Sequence, residues 1–188
     1  MSLMSLRSLA CAAFVSSLAA CSSNGPAFEH LEHPPRLAAQ SVELRLVDGR
    51  PFATEGFDVP MMSMPGDQEE LAPPLDPGLQ AELESTLREH LVPGPRSLRV
   101  EVKVLEGTAS WSGNFASETE KGTARVSVTV FDATANRLLV MGVAESWAER
   151  SSLDTSESRV TRILGTAVQG ATLEFLASET ARVALAAP

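Results

Sequence analysis

The sequence predicts an α+β fold in which an antiparallel sheet of about four strands carries two helices on one face. Alternating apolar and polar residues indicate the strands, and apolar residues at every fourth position indicate a helix. The elements follow one another in the order strand, helix, three strands, helix. The chain has 188 residues, of which 44% are hydrophobic. This composition suits one globular domain and argues against a polytopic membrane protein.

Four segments show the alternation that is typical of strands with one buried face and one wet face. In the first segment, Val42 and Leu44 alternate with Glu43 and Arg45. Three consecutive strands joined by short turns are expected to pair as a meander, and Asn136 suits a left-handed position in the last turn. The first strand must pair with one of them across a helical connection. The predicted strands are Ser41–Val47, Ser97–Leu105, Thr123–Phe131 and Arg137–Trp147.

The helix after the first strand is indicated by a leucine at every fourth position. Asp76 is suited to cap it, Pro77 fits its first helical position, and Pro93 with Gly94 ends it. A second helical period extends from about Thr155 to Ala186, and its charged residues exclude a membrane span. The leucines of the first helix are Leu79, Leu83, Leu87 and Leu91.

Two proline-containing segments lack periodicity: one precedes the predicted domain, which covers residues 41–188, and the other lies within it. Residues 21–40 are interpreted as a flexible tether. Residues 52–75 form a Pro- and Met-rich loop with four prolines, and a loop of this length is usually functional or mobile. Residues 107–122 are polar and predict a hairpin or a ragged sheet edge around Trp111 and Phe115.

The N-terminal segment 1–20 has the pattern of a secretion signal. Arg7 is its only charge, and the apolar stretch that follows is too short for the roughly 20 residues of a membrane span. The residues Leu18-Ala19-Ala20-Cys21 resemble the lipobox of bacterial lipoproteins. This resemblance implies cleavage between Ala20 and Cys21, with fatty chains such as palmitate attached at Cys21. The Ser22 that follows suggests the outer membrane, with the domain facing the periplasm.

The cysteine count and the charge exclude several classes of protein. Removal of Cys11 with the signal and acylation of Cys21 would leave no thiol, and therefore no disulfide, thiol nucleophile or thiolate metal site. The chain carries 15 basic and 24 acidic residues, a net charge of −9. This sign is opposite to that of a nucleic-acid-binding protein. It also implies that the lipid, and not a basic face, attaches the protein to the membrane.

The run from Gly122 to Asp132, followed by Asn136-Arg137-Leu138-Leu139, resembles a hairpin shared by several uncharacterised proteobacterial envelope lipoproteins. Their pattern is a strand, an Asp, a turn closed by Gly, a second strand and a long C-terminal helix. Here Asn136 stands where Gly is usual. The resemblance covers about a third of the chain. It implies an α+β fold and an envelope location, and it transfers no active site.

Two groups of residues have the chemistry of metal ligands. His30 and His33 lie three residues apart, a spacing that suits a zinc or copper site, although a solvated linker explains them as well. The thioethers of Met61, Met62 and Met64 suit Cu(I) in the periplasm. The alternative is that these methionines fill irregular space where the loop packs on the core.

No catalytic motif is present: the sequence has neither a Gly-x-Ser-x-Gly element nor a phosphate-binding or dinucleotide-binding glycine loop. We therefore expect a non-catalytic lipoprotein, without a cofactor other than its lipid, that binds an envelope protein. Exposed strand edges, the Trp111–Phe115 segment and the 52–75 loop are the expected docking surfaces. Two alternatives remain: an accessory that holds lipid or another apolar ligand in a groove between helices and sheet, and a periplasmic Cu/Zn-binding lipoprotein.

Overall fold

The computed structural model describes residues 34–51, 69–114, 117–152 and 158–186. The predicted elements occur in the predicted order, and three short strands and a further helix are added to them. The α+β class is confirmed. The elements are β1 Leu37–Ala38, β2 Ser41–Asp48, β3 Glu69–Leu71, α1 Leu79–Glu89, β4 Leu91–Val92, β5 Ser97–Asn114, β6 Ser117–Asp132, β7 Arg137–Ser152, α2 Ser158–Ala177 and α3 Glu179–Ala186.

The main sheet has the strand order β2-β5-β6-β7, and β3 lies beside the outer part of β5. An antiparallel sheet was expected, but the observed sheet is mixed. β2 is parallel to β5, with Ser41 opposite Ser97, whereas β3, β6 and β7 pair in the antiparallel sense. The reason is the connection: the segment that contains α1 returns the chain to the end of the sheet from which β2 started, so the two strands must point the same way.

The meander of β5, β6 and β7 is confirmed, and its strands are longer than predicted. Within the segment 107–122, residues 107–114 and 117–122 belong to β5 and β6 and pair in the antiparallel sense, in agreement with the expected hairpin. The turn between β6 and β7 has Asn136 at a φ of 46°, the predicted left-handed conformation. The carboxylate of Asp132 accepts hydrogen bonds from the backbone N–H groups of Thr134 and Ala135, at 3.0 and 3.1 Å. This turn therefore follows from local chemistry.

The hydrophobic core lies between the sheet and the helices, which cover one face of it. Along β6 the buried residues alternate with exposed or half-buried ones, and α2 packs on the buried side of β5, β6 and β7. Two glycines permit this contact. A Cβ atom at Gly122 would lie 2.5 Å from the carbonyl oxygen of Ile163, and one at Gly142 would lie 2.5 Å from the Phe175 ring. Backbone and ring occupy the space that a side chain would need.

The C-terminal helical segment forms two helices where one was expected. The break is at Ser178, whose hydroxyl accepts a hydrogen bond from the backbone N–H of Ala181 at 3.3 Å and so caps α3. At the start of α1, the Asp76 carboxylate accepts a hydrogen bond from the backbone N–H of Gly78 at 2.7 Å, and the helix begins at Leu79. The predicted start at Pro77 is therefore two residues early. Leu91, placed in the leucine pattern, lies in β4.

The folded domain includes residues that precede residue 41. Leu37 and Ala39 are buried in the core, and β1 pairs in parallel with β4. Residues 37–39, placed at the end of the predicted tether, thus belong to the folded domain. Within the predicted 52–75 loop, Glu69–Leu71 forms β3 against β5. The strands β1 and β3 have only two and three residues and lie near prolines, so no periodicity was present from which they could be inferred.

Candidate docking surface

The face of the sheet opposite the helices carries an exposed apolar strip on β7. Met141 is 61% exposed, Trp147 54% and Val143 51%. Their cross-strand neighbours on β6 are Thr129, Thr123 and Ser127, in the same order. These neighbours are too short to cover large side chains, so the strip remains open to solvent. Most of the exposed large hydrophobic side chains among the described residues are on β7, namely Leu138, Met141, Val143 and Trp147. The others are Val47 on β2 and Val183 on α3.

β7 is also an edge strand in the described part of the chain. It pairs with β6 along one side, and no described strand pairs with its other side. It is 16 residues long and contains neither lysine nor proline. Short length, proline and charged side chains, above all lysine, usually protect an edge from pairing with another chain. Of these features β7 has charged side chains, among them Glu145 and Glu149. The one irregularity is a register shift near Leu138, so the ladder is continuous from Val140 to Ser152.

Charged side chains adjoin the strip in a row across three strands. The Arg125 guanidinium lies 3.0 Å from the carboxylate of Glu106 on β5 and 3.1 Å from that of Glu145 on β7. These side chains are 42%, 69% and 72% exposed, so each pair contributes at most about 1 kcal/mol to stability. The row ends at the sheet edge with an acidic residue.

A shallow cavity of about 350 Å³ lies over this row, where β5 has a bulge between Val104 and Glu106. Its walls include Thr108, Arg125 and Trp147. The ammonium group of Lys121 lies 5.7 Å from the centre of the Trp147 ring, a cation–π distance. The strip thus combines a large aromatic side chain with hydrogen-bonding groups, which is the composition of protein interfaces.

The structure places Trp111 on an interior strand. Trp111 on β5 is opposite Glu69 of β3 on one side and Glu120 of β6 on the other. Both edges of β5 are therefore paired at this point, and a partner strand cannot be added there. Phe115 lies outside the described residues. Strand addition at Trp111 is therefore excluded, and the rest of the predicted Trp111–Phe115 docking segment stays a prediction.

The other predicted site residues also lie outside the described residues, and their roles stay predictions. They are Ala20, Cys21, His30, His33, Met61, Met62 and Met64. Within the ranges that the structure describes, no cluster of three or more His, Cys, Asp or Glu residues could hold a metal ion. Among the same residues, no helix is both long enough and apolar enough to cross a membrane.

The groove of the apolar-ligand hypothesis would lie between the helices and the sheet. At Gly122 and Gly142 the helix α2 approaches the sheet too closely for a ligand to fit between them. The buried side chains of the core include Val126, Leu164 and Val168, each fully buried. The hypothesis stays a prediction, and these contacts exclude the centre of the α2–sheet interface as its site.

The sequence interpretation did not identify Met141, Val143 and Trp147 as site residues. A signal for them was present, because the segment from Leu138 to Trp147 has apolar residues at both even and odd positions. A strand with one face exposed to water should alternate apolar and polar residues. Apolar residues on both faces of a strand predict that the second face is also covered, here by something other than the described chain.

Comparisons with known proteins assign no family. No family model matches the sequence, and no curated protein is similar to it. A solved structure of a Xanthomonas campestris protein of family DUF330 aligns with a TM-score of 0.41 and 11% identity, over 77% of this chain and 85% of that one. A Helicobacter pylori homologue of neuraminyllactose-binding hemagglutinin aligns with a TM-score of 0.34 and 11% identity, over 81% of this chain and 92% of that one.

Proposed function

We propose that this protein is a non-catalytic lipoprotein of the outer membrane whose periplasmic domain binds another envelope protein through the open face of β7. The observation that carries the proposal is the exposure of Met141, Val143 and Trp147 on one face of β7, whose outer edge pairs with no strand of the described part of the chain. Several large apolar side chains exposed on one face are unfavourable in water and are typical of interaction sites. An edge strand adds backbone donors and acceptors at the same place.

The anchor is proposed from the sequence at Leu18–Cys21. Each CH₂ of a buried acyl chain contributes about 0.8 kcal/mol, so several chains at Cys21 would attach the protein stably. The periplasmic domain would then be held near the membrane while β7 remains free to bind. This arrangement needs no basic membrane-binding face, in agreement with the net charge of −9.

Metabolic labelling with radioactive palmitate tests the anchor. We expect label in the wild-type protein, none in the Cys21→Ser variant, and recovery of the wild type with the outer membrane on a sucrose gradient. A Cys11→Ser variant is the matched control and should be labelled as the wild type is. An unlabelled wild-type protein, or one that retains its initiator methionine, would contradict the lipoprotein assignment.

Photocrosslinking in intact cells tests the docking surface. A photoreactive amino acid at Val143 should give a discrete adduct with an envelope protein. The same amino acid at Val183 on α3, which is 67% exposed, serves as the control for an exposed valine away from β7. Adducts from position 143 alone support the proposal. The absence of adducts, or the same adducts from both positions, counts against it.

A further inference from the structure

The exposed row of β7 has a charge pattern that points to the partner's chemistry. Its side chains on the open face are, in order, Met141, Val143, Glu145, Trp147 and Glu149. We propose that β7 binds an extended partner segment by strand addition, and that this segment alternates apolar residues with basic residues placed opposite the two glutamates. The inference rests on the proposed function and names the partner class of the same surface.

The backbone of β7 suits strand addition. From Val140 to Ser152 its ladder with β6 is continuous, so its free edge has the regular spacing of donors and acceptors that an added strand requires. The side chains on its helix-facing side between these limits are small at Gly142, Ala144 and Ser146. Between Gly142 and Ala148, a partner strand of similar small residues would therefore meet no bulky neighbour from β7 on that side, whereas Arg150 follows nearer the end of the strand.

The charged rows of the sheet end on an acid at this edge. Glu106, Arg125 and Glu145 alternate in sign across β5, β6 and β7, with ion-pair distances of 3.0 and 3.1 Å. A second charged row crosses β6 and β7 four residues further along β7, where Lys121 of β6 is directly opposite Glu149. A strand added beyond β7 continues both rows, and a basic residue at each position completes the alternation. An acidic residue there would be repelled by the adjacent glutamate.

A second copy of the chain does not satisfy this pattern. The open row of β7 from Met141 to Glu149 contains no basic residue, so in any antiparallel pairing of β7 with itself within this row the second copy offers no basic residue opposite Glu145. One register would place Glu145 opposite itself. Two copies that each carry a net charge of −9 also repel one another, whereas a basic segment is attracted.

The test uses the full-length mature protein in detergent and three labelled nine-residue peptides with blocked ends, followed by fluorescence anisotropy. The first peptide, Lys-Thr-Val-Thr-Lys-Thr-Val-Thr-Val, has its lysines opposite Glu149 and Glu145 in antiparallel pairing. The second has glutamate in place of both lysines. The third has proline in place of the threonine that directly follows the second lysine. We expect binding of the first peptide at least tenfold tighter than of either other, and weaker at 300 mM than at 30 mM salt.

Two variants make the result specific. Val143→Lys should abolish binding of the lysine peptide, whereas Val183→Lys, the matched change on α3, should leave it unchanged. The double variant Glu145→Lys/Glu149→Lys should bind the glutamate peptide more tightly than the lysine peptide. These changes are on exposed positions, and circular dichroism verifies that each variant is folded.

Equal binding of the lysine and glutamate peptides, or of the proline peptide, would overturn the inference. A dimer in sedimentation experiments that Val143→Lys dissociates would also overturn it, in favour of self-association. Discrete crosslinks at position 143 in cells without binding of the lysine peptide would refute strand addition alone. Peptide binding without any crosslink in cells would instead refute the proposed function.

Discussion

The guanidinium of Arg50 makes two hydrogen bonds to the carboxylate of Asp48, at 2.6 and 2.9 Å. The same guanidinium donates to the carbonyl oxygen of Gly107 at 3.1 Å and to that of Pro73 at 2.9 Å. Only 3% of the Arg50 side chain is exposed. One buried cation therefore joins the end of β2, the bulge of β5 and the residues that follow β3, and all of its partners are hydrogen-bond acceptors.

Replacement of this buried cation should destabilise the domain. We expect Arg50→Ala to lower the free energy of unfolding by about 3 kcal/mol, because it leaves Asp48 and two carbonyl groups without their donor. The control is Arg88→Ala, since Arg88 pairs with Glu84 on the surface of α1 and is 63% exposed. That change should cost less than about 0.5 kcal/mol. Urea unfolding measures both, and equal losses would contradict the bridging role of Arg50.

The Asp48–Arg50 pair should also make stability depend on pH. The side-chain hydrogen bonds from Arg50 lower the pKa of Asp48 below its ordinary value of 3.8, although partial burial opposes the shift. Because the folded-state pKa is lowered, the contribution of the Asp48–Arg50 pair to stability is complete above the unfolded-state pKa. This contribution is lost as the pH falls through the folded-state pKa. The stability difference between wild type and Asp48→Asn should thus shrink as the pH is lowered from 5 towards 2. A difference that stays constant would argue against the pair.

The close approach of α2 to β6 predicts opposite results for two glycines. Gly122→Ala should destabilise the domain by about 1–3 kcal/mol, because the new methyl group would meet the Ile163 backbone. Gly165→Ala would place its methyl group 3.2 Å from a terminal side-chain carbon of Leu79, a contact that a shift of a few tenths of an ångström relieves, and it removes a glycine from a helix. We expect it to be neutral or to stabilise by up to about 1 kcal/mol. Thermal unfolding measures both, and a tolerated Gly122→Ala would contradict this packing.

Two isosteric substitutions should separate the docking surface from the core. Val143→Thr on the open face should change the free energy of unfolding by less than about 0.5 kcal/mol. Val128→Thr on β6, where the side chain is fully buried, should cost about 1–3 kcal/mol because it buries a hydroxyl group. Urea unfolding of both variants provides the measurement. A large loss at Val143 would mean that this residue serves folding and not binding.

The metal hypothesis has a direct test. We expect full-length protein incubated with Cu(I) or Zn(II), and then dialysed, to retain no more metal than Met61→Ala/Met64→Ala and His30→Ala/His33→Ala. Atomic absorption spectroscopy gives the stoichiometry. One equivalent of metal in the wild type that either double variant loses would instead support the Cu/Zn-binding alternative.

Elements with a local signal could be predicted from the sequence. Val42 and Leu44 alternate with charged residues, and β2 lies where they predict it. Asp132 and Asn136 carry the chemistry of their turn, and the turn has the predicted conformation. The break at Ser178 could not be predicted in the same way. Apolar residues continue on both sides of it, so the periodicity concealed the end of one helix and the start of the next.

The candidate site was harder to predict than the fold, because exposure is a property of neighbours. Trp111 is conspicuous in a polar segment, yet β3 and β6 flank it. Trp147 lies in a segment that is typical of a buried strand, yet it is half exposed beside Thr123. Periodicity indicates which side chains share a face, but it does not indicate whether another element covers that face.

The sequence by itself determined the α+β class, the order of the main elements and the acidic charge, since these depend on short-range patterns and composition. Only the tertiary structure decided that β2 is parallel to β5, that Arg50 joins three distant segments, and that β7, among the strands that the structure describes, is an edge with an exposed apolar face. Each of these depends on contacts between residues far apart in the chain, and a pattern read along the chain contains no information about which distant segments meet.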